Sequence, residues 1–194
     1  MKLWKWVTLT TLLLLLTACG GYNIETTMSR DVEPFEFTTQ DNETLSHEDL
    51  EGDWWIADLI FTNCTTVCLP MTTNKSLLQD KIQEENLDVK LVSFSVDPDY
   101  DTPEVLREYA DEYDADLDNW AFLTGYDFDT IKEMSIKSFQ APLLEPPEGD
   151  DQVTHGTSFY LVSPEGEVIK NYNGVESAET DVIMGDLRRV ADEL

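Results

Sequence analysis

Residues 53–70 read DWWIADLIFTNCTTVCLP and contain the transition that decides the fold. The first nine residues are mostly apolar, which is typical of a strand buried on both faces of a sheet. The next residues are polar and carry Cys64, and Cys68 follows four positions later, just before Pro70. Apolar residues at helical spacing continue over 69–85. The stretch therefore predicts a core strand that runs into a helix, with two cysteines at the turn.

Strand and helix patterns alternate along the rest of the chain. Strands are predicted at 34–38, 53–61, 89–96, 120–124, 157–162 and 168–172, and helices at 69–85, 102–110, 126–138 and 179–194, with a proline-rich loop at 141–152. The first of these strands begins with Pro34, which favours an edge position in the sheet. The last two strands flank Ser163-Pro164-Glu165-Gly166, a hairpin signal. This order predicts an α/β domain with a central mixed β-sheet flanked by helices.

The amino terminus has the pattern of a targeting segment. Lys2 and Lys5 precede an apolar run from Trp6 to Leu16, which has the length of a signal-peptide core and is short for a membrane span. The sequence Leu-Thr-Ala-Cys at 16–19 resembles the lipobox of bacterial lipoproteins. That resemblance implies cleavage before Cys19 and attachment of lipid to its thiol and new amino terminus. The alternative is an ordinary secretory signal with one additional cysteine.

These features predict three regions and one compartment. We expect a lipoprotein signal peptide at 1–18, a flexible tether at 19–33 because this segment is polar and lacks periodicity, and one domain at 34–194. The domain would lie on the extracytoplasmic face of the cell membrane, held there by the lipid anchor. The chain carries 12 basic and 40 acidic side chains, a net charge of −28. Nucleic-acid binding is therefore excluded, because phosphate contacts require clustered Lys and Arg.

The two cysteines of the strand-to-helix turn have the spacing of a reactive pair. Separation by four residues brings both sulfurs to one side of the first helical turn, where the helix dipole favours the thiolate. Thiolates attack disulfides and bind soft metals, so the pair predicts redox chemistry, a metal site, or both. The alternative of two buried structural cysteines is disfavoured by the polar neighbours Asn63, Thr65 and Thr66.

The chain has two histidines, and only one of them is placed to join the cysteines. His47 lies in a polar helix-start pattern at 45–49, and we expect it to be exposed. His155 lies at a loop-to-strand junction before Thr157. An isolated histidine there is ordinarily structural, but in a thioredoxin-like sheet this junction lies beside the cysteine turn. Two thiolates and one imidazole select a thiophilic metal such as copper or zinc, and three ligands leave a position open for transfer.

Three motifs together resemble the Sco/SenC family, the copper metallochaperones of cytochrome c oxidase assembly, and in particular its lipid-anchored members from Gram-positive bacteria. The motifs are TNCTTVC at 62–68, SFSVDP at 93–98, and His155 with SFYL at 158–161. The similarity extends from about Val32 to the carboxyl terminus. It implies a thioredoxin-like fold, and it implies that copper is the metal that the protein binds and delivers.

The resemblance also implies roles for individual residues. Cys64, Cys68 and His155 would be the copper ligands, and the two cysteines would cycle with a disulfide. Asp97 matches an acidic residue beside that site, although it is equally explained as a turn residue before a proline. In the family a proline usually follows the second cysteine directly, whereas here Leu69 intervenes. A helix can begin with proline at either position, so we expect altered rigidity rather than lost binding.

The leading hypothesis is a metallochaperone. It would deliver copper to the cytochrome c oxidase subunit that carries the dinuclear copper centre, or keep the cysteines of that subunit reduced with the help of a thiol reductant. One alternative is a thiol-disulfide oxidoreductase without a metal role, against which the Cys-x-x-x-Cys spacing and the lack of a proline before Thr157 both count. Another is a thiol peroxidase, since 65–68 matches a Thr-x-x-Cys signature. However, Phe61 replaces its usual proline, and Arg107 is the sole mid-chain arginine.

Overall fold

Strands and helices alternate within residues 22–191, the part of the chain that this computed structural model describes. The strands are β1 (Arg30–Asp31), β2 (Glu36–Thr39), β3 (Thr44–Ser46), β4 (Trp54–Ile60), β5 (Val89–Ser95), β6 (Trp120–Thr124), β7 (Leu143–Leu144), β8 (Thr154–His155), β9 (Ser158–Val162) and β10 (Glu167–Asn173). The helices are α1 (Cys68–Glu84), α2 (Pro103–Glu112), α3 (Phe128–Phe139) and α4 (Glu179–Ala191), with a short 3-10 helix at Glu48–Leu50. The predicted signal peptide and the lipidation site Cys19 lie outside the described residues.

Eight of these strands form one mixed sheet, in the order β1-β10-β9-β4-β5-β6-β2-β3. Strands β4, β5 and β6 are parallel to one another, and β9 runs antiparallel to β4. The prediction of an edge strand at 34–38 is wrong, because β2 lies between β6 and β3. Strand β3 pairs with β2 as a hairpin and forms the edge of the sheet. Its three residues are too few to show a periodic pattern in the sequence.

The central strand β4 is buried on both faces, which explains its nearly continuous apolar run. Trp55, Ala57 and Leu59 belong to the core cluster that includes residues of α3. Trp54, Ile56 and Ile60 alternate with them and pack in the cluster that includes residues of α1, α2 and α4. Because helices cover both faces, the sheet needs apolar side chains at successive positions rather than at alternate ones. This arrangement is the thioredoxin-like fold.

Part of the predicted tether lies against the sheet. Strand β1 pairs antiparallel with β10, and the backbone N–H groups of Thr27 and Met28 both donate to the carbonyl of Ile169 at 3.0 Å. Val32 is buried. These contacts cover the outer edge of β10, whose backbone groups otherwise face solvent. The sequence shows no periodic pattern in this segment because only two residues, Arg30 and Asp31, pair with β10. Among residues 22–191, no helix is both long and apolar enough to span a membrane.

The predicted loop at 141–152 contains one short strand. Strand β7 pairs with β8 in a separate two-stranded sheet, with Leu143 opposite His155 and Leu144 opposite Thr154. Leu143 is buried, whereas Leu144 is exposed. The pairing fixes the backbone of His155 before the chain enters β9.

We expect Leu161→Ala to destabilise the protein by about 2–5 kcal/mol, the usual cost of removing a fully buried leucine side chain. Leu161 is completely buried in β9, between β10 and β4. Urea unfolding measures the change. Val182→Ala, at an exposed position of α4, is the control and should change the free energy of unfolding by no more than about 0.5 kcal/mol. Equal midpoints for the two variants would contradict the assignment of β9 to the core.

Candidate metal centre

The cysteine turn joins the end of β4 to the start of α1. Both thiols are free: Cys68 is buried in the first turn of the helix, and Cys64 is partly exposed in the preceding loop. The backbone N–H of Cys68 donates to the sulfur of Cys64 at 3.4 Å. The sulfur of Cys64 therefore accepts a hydrogen bond from an amide at the amino end of a helix, an arrangement that stabilises a thiolate.

The ring of His155 faces the same turn. Its Nε2 lies 3.3 Å from the sulfur of Cys68, and its Nδ1 lies 2.8 Å from the carbonyl of Gly156. A carbonyl only accepts, so Nδ1 donates to it, and this hydrogen bond directs Nε2 toward the sulfur of Cys68. The ring of Phe61 packs edge-on against the imidazole, with 5.7 Å between the two ring centroids. A side chain on Gly156 would come within 2.9 Å of Ala141, so only glycine allows this close approach.

Three potential ligands converge at this point. One ligand atom from each of Cys64, Cys68 and His155 lies within 4.8 Å of the others. Two sulfurs and one imidazole nitrogen form a donor set that suits soft or borderline metals such as Cu(I) or Zn²⁺. Because Cys64 is partly exposed, the group can be reached from solvent. The structure thus brings together the residues that the sequence analysis selected.

The two cysteines have opposite electrostatic environments. Hydrogen bonding with Cys68 lowers the pKa of Cys64 to about 3, with further help from His155 and the backbone at Thr66. Hydrogen bonding with Cys64 and burial raise the pKa of Cys68 well above that of an ordinary thiol. In the reduced protein the pair therefore carries one negative charge at neutral pH, and this charge lies on Cys64.

Asp101, which the sequence analysis did not select, connects the ends of two strands beside the site. Its buried carboxylate accepts hydrogen bonds from the backbone N–H of Thr62 at 3.3 Å, from the Thr62 hydroxyl at 2.6 Å and from the Ser95 hydroxyl at 2.5 Å. Burial raises the pKa of this carboxyl. Asp101 thereby connects Thr62, two residues after the end of β4, to Ser95 at the end of β5.

The segment that precedes His155 binds the cysteine loop. The side-chain oxygen of Gln152 accepts from the N–H and the hydroxyl of Thr65 at 3.1 and 3.2 Å, and its amide nitrogen donates to the carbonyl of Asn63 at 3.0 Å. The Asn63 amide donates to Asp151 at 2.8 Å. The sequence analysis missed Gln152, because a single glutamine in a polar loop carries no pattern. These contacts set the distance between the imidazole and the two sulfurs.

Two other residues of the sequence analysis lie outside the ligand group. Asp97 is in the turn after β5; burial raises the pKa of its carboxyl, as do the charges of Asp99 and Asp151. His47, which we expected to be exposed, is partly buried, and its ring stacks on Phe35 with a centroid distance of 6.0 Å. The imidazole ring of His47 packs against the aromatic ring of Phe35, and the polar residues around His47 in the sequence give no sign of this contact.

Two further residues that the sequence analysis named are Arg107 and Leu69. Arg107 pairs with Asp41 and Asp111 and remains about half exposed. Leu69, which replaces the expected proline after the second cysteine, lies in the first turn of α1 and is 62% exposed. The helix begins at Cys68 despite this replacement.

The thioredoxin-like fold and the group of two thiols and an imidazole define a class of thiol-based metal-binding domains. Within this class the chain belongs to the SCO1/SenC family, whose family model matches residues 25–192. The SCO1 protein homolog of Bacillus subtilis is 48% identical over 188 residues, which is 97% of each chain.

Solved structures agree with this assignment. A SCO1/SenC family lipoprotein from Bacillus anthracis superposes with a TM-score of 0.81 at 43% identity, covering 86% of this chain and 99% of that one. BsSco, described as a member of the Sco family of cytochrome c oxidase assembly proteins, gives 0.79 at 48% identity and covers 87% and 98%. Arabidopsis thaliana ScoI with copper bound gives 0.68 at 29% identity and covers 80% and 97%.

We expect iodoacetamide to alkylate Cys64 at a rate that is nearly constant between pH 5 and pH 8. With a pKa of about 3, Cys64 is already a thiolate throughout this range. An ordinary thiol, with a pKa of about 8.5, would react about tenfold more slowly for each unit of decreasing pH. Peptide mapping by mass spectrometry measures the adduct at Cys64, and buried Cys68 is the internal control. A tenfold slope per pH unit at Cys64 would contradict the thiolate assignment.

Proposed function

We propose that this protein binds copper through Cys64, Cys68 and His155 and serves in the assembly of cytochrome c oxidase. The observation that carries the proposal is the convergence of these three ligand atoms within 4.8 Å of one another. Two sulfurs and a neutral imidazole prefer Cu(I) to hard cations. Two relatives support the choice: Arabidopsis thaliana ScoI, solved with copper bound, and BsSco, described as belonging to a family of oxidase assembly proteins.

The copper would be cargo, and its target would be the oxidase subunit that carries the dinuclear copper centre. Partly exposed Cys64 is the ligand that an incoming partner reaches first, while Cys68 and His155 lie buried behind it. A three-ligand site leaves a position open for a ligand of the partner, so copper could pass between the proteins without becoming free.

The same two cysteines would form a redox pair. In the oxidised form a Cys64–Cys68 disulfide would replace the metal site. A thiol reductant would return it to the dithiol, with two electrons taken up by the sulfurs. The thiolate character of Cys64 favours this exchange, because thiolates are the attacking form in disulfide chemistry. This property also favours the second candidate function, a thiol-disulfide oxidoreductase without a metal role.

We further propose that the protein acts on the outer face of the cell membrane. Lipid on Cys19 would provide the anchor, and the segment before β1 would connect it to the domain. The Bacillus anthracis relative is described as a lipoprotein, which supports this placement.

We expect His155→Ala to weaken Cu(I) binding by at least about tenfold, which corresponds to about 1.4 kcal/mol of binding free energy. The substitution removes one of three ligands but leaves both thiols. Competition between the reduced protein and a chromophoric Cu(I) chelator measures the affinity.

His47→Ala is the matched control, because it removes the other histidine of the chain, which lies outside the ligand group. This variant should bind Cu(I) as the wild-type protein does. If His155→Ala also bound Cu(I) as tightly as the wild-type protein, the site would be excluded, and the oxidoreductase would become the better interpretation.

Deletion of the gene should lower cytochrome c oxidase activity in the host membrane. Added copper should restore the activity if delivery is the main role, because excess metal bypasses a carrier. Added thiol reductant should restore it if the protein mainly keeps the cysteines of its target reduced. Oxidase activity that is unchanged by the deletion would contradict a role in assembly.

A further inference from the structure

The side-chain amide of Gln152 uses all of its hydrogen-bonding positions. Its oxygen accepts from the backbone N–H of Thr65 at 3.1 Å and from the hydroxyl of Thr65 at 3.2 Å. Its nitrogen donates to the carbonyl of Asn63 at 3.0 Å and to the carboxylate of Asp151 at 2.9 Å. Because a backbone N–H only donates and a carbonyl only accepts, these partners fix the direction in which the amide points. Four contacts thus hold Gln152 in one orientation.

The contacts of Gln152 lie on both sides of one metal ligand. Asn63 and Thr65 are the residues immediately before and after Cys64. Gln152 itself comes shortly before His155, in a part of the chain that is more than eighty residues away from Cys64. One side chain therefore connects the backbone around Cys64 to the segment that carries the imidazole.

The segment that carries His155 lies outside the eight-stranded sheet. His155 belongs to β8, which pairs with β7 in a separate two-stranded sheet, and the chain enters the large sheet again at Ser158, where β9 begins. Strand pairing therefore leaves the final distance between the imidazole and the sulfurs to other contacts. Within residues 22–191, Gln152 supplies the hydrogen bonds from this segment to the backbone of the cysteine loop.

Two acidic residues beside Gln152 support its position. The carboxylate of Asp150 accepts from the backbone N–H of Asp151 at 2.8 Å and from that of Gln152 at 3.1 Å. The carboxylate of Asp151 accepts from the side-chain amides of both Gln152 and Asn63, at 2.9 and 2.8 Å. Gln152 and Asp151 therefore contact the cysteine loop as one unit.

Folding gains little from such a residue, whereas a metal site gains more. Gln152 is only partly buried, and replacement of a polar residue in such a place usually changes the stability of the fold little. Binding, by contrast, is weakened by any freedom that the ligands lose when the metal arrives. Contacts behind the ligands typically change metal affinity by about 10- to 100-fold.

We propose that Gln152 is a positioning residue of the metal centre: it holds the loop of Cys64 and the segment of His155 at binding distance before the metal arrives. Cys64 and Cys68 are joined by one short loop and stay together without Gln152. Its effect on affinity is therefore exerted through His155. The inference rests on the proposed binding of copper by these three ligands.

We expect Gln152→Ala to weaken Cu(I) binding by about tenfold, measured by competition between the reduced protein and a chromophoric Cu(I) chelator. Gln152→Leu has nearly the volume of glutamine but lacks all four hydrogen bonds, so it should show the same loss. It also serves as the second variant if Gln152→Ala does not fold. Gln83→Ala is the matched control, because Gln83 is exposed on α1 and donates to Asp116, away from the ligands. It should bind Cu(I) as the wild-type protein does.

A double-mutant cycle distinguishes positioning of His155 from distortion of the cysteine loop. In the His155→Ala background, Gln152→Ala should change the Cu(I) affinity by less than about twofold, because the ligand through which Gln152 acts is gone. A residue that merely shapes the cysteine loop would produce the same loss in both backgrounds.

The contact itself can be measured on the metal-free protein. The backbone N–H of Thr65 should exchange with solvent about tenfold faster in Gln152→Ala than in the wild-type protein, because its acceptor is lost. Exchange at Leu59 in β4 should be unchanged, and nuclear magnetic resonance resolves both amides.

Three outcomes would overturn the inference: an unchanged Cu(I) affinity in the Gln152 variants, an equal loss of affinity with and without His155, or an unchanged exchange rate at Thr65. The proposed function fails in a different way. In that case the wild-type protein does not bind Cu(I), or His155→Ala alone binds it as tightly as the wild-type protein, and the inference fails with it.

Discussion

The metal centre depends on the antiparallel pairing of β9 with β4. In this pairing Ala57 is opposite Tyr160, and Trp55 is opposite Val162, so the chain that enters β9 arrives where β4 ends. The residues just before β9 therefore lie beside the loop that follows β4. That relation brings His155 to Cys64 and Cys68 although more than eighty residues separate them in the sequence. A parallel partner in the same position would have placed its entry at the opposite edge.

Pairing brings the segments together, but polar contacts fix their final positions. Asp101 connects the start of the cysteine loop to the end of β5, and Gln152 connects the middle of that loop to the segment before His155. Both use side chains to satisfy backbone groups that irregular segments cannot satisfy with each other. The site is thus held from two sides by hydrogen bonds, while the sulfurs themselves make few contacts. This division leaves the sulfurs available for a ligand.

The sequence predicted most of the fold and the three candidate ligands. The buried run of β4, the helix after Cys68 and the hairpin before the last helix each have a strong local pattern. The pairing of β1 and the inner position of β2 could not be predicted. Strands β1 and β3, which pair with β10 and β2, have only two and three residues, and such short strands show no periodic pattern in the sequence. Asp58 did carry a signal, since it is a charge within an apolar strand, and such a residue needs a buried partner. Its buried partner, Lys75 of α1, could be found only by tertiary packing.

The asymmetry of the two cysteines follows from the same geometry. A short loop between a strand and a helix places one sulfur in the loop and the other inside the first turn of the helix, where Cys68 joins the apolar core. Cys68 is consequently buried and retains its proton, while Cys64 accepts a helix amide and loses it. A soft cation that arrives from solvent would meet the charged sulfur of Cys64 first, and its binding to Cys68 would release the proton of that thiol. One local turn thus supplies a partly exposed sulfur and a buried one, and His155 joins them from the segment just before the neighbouring strand β9.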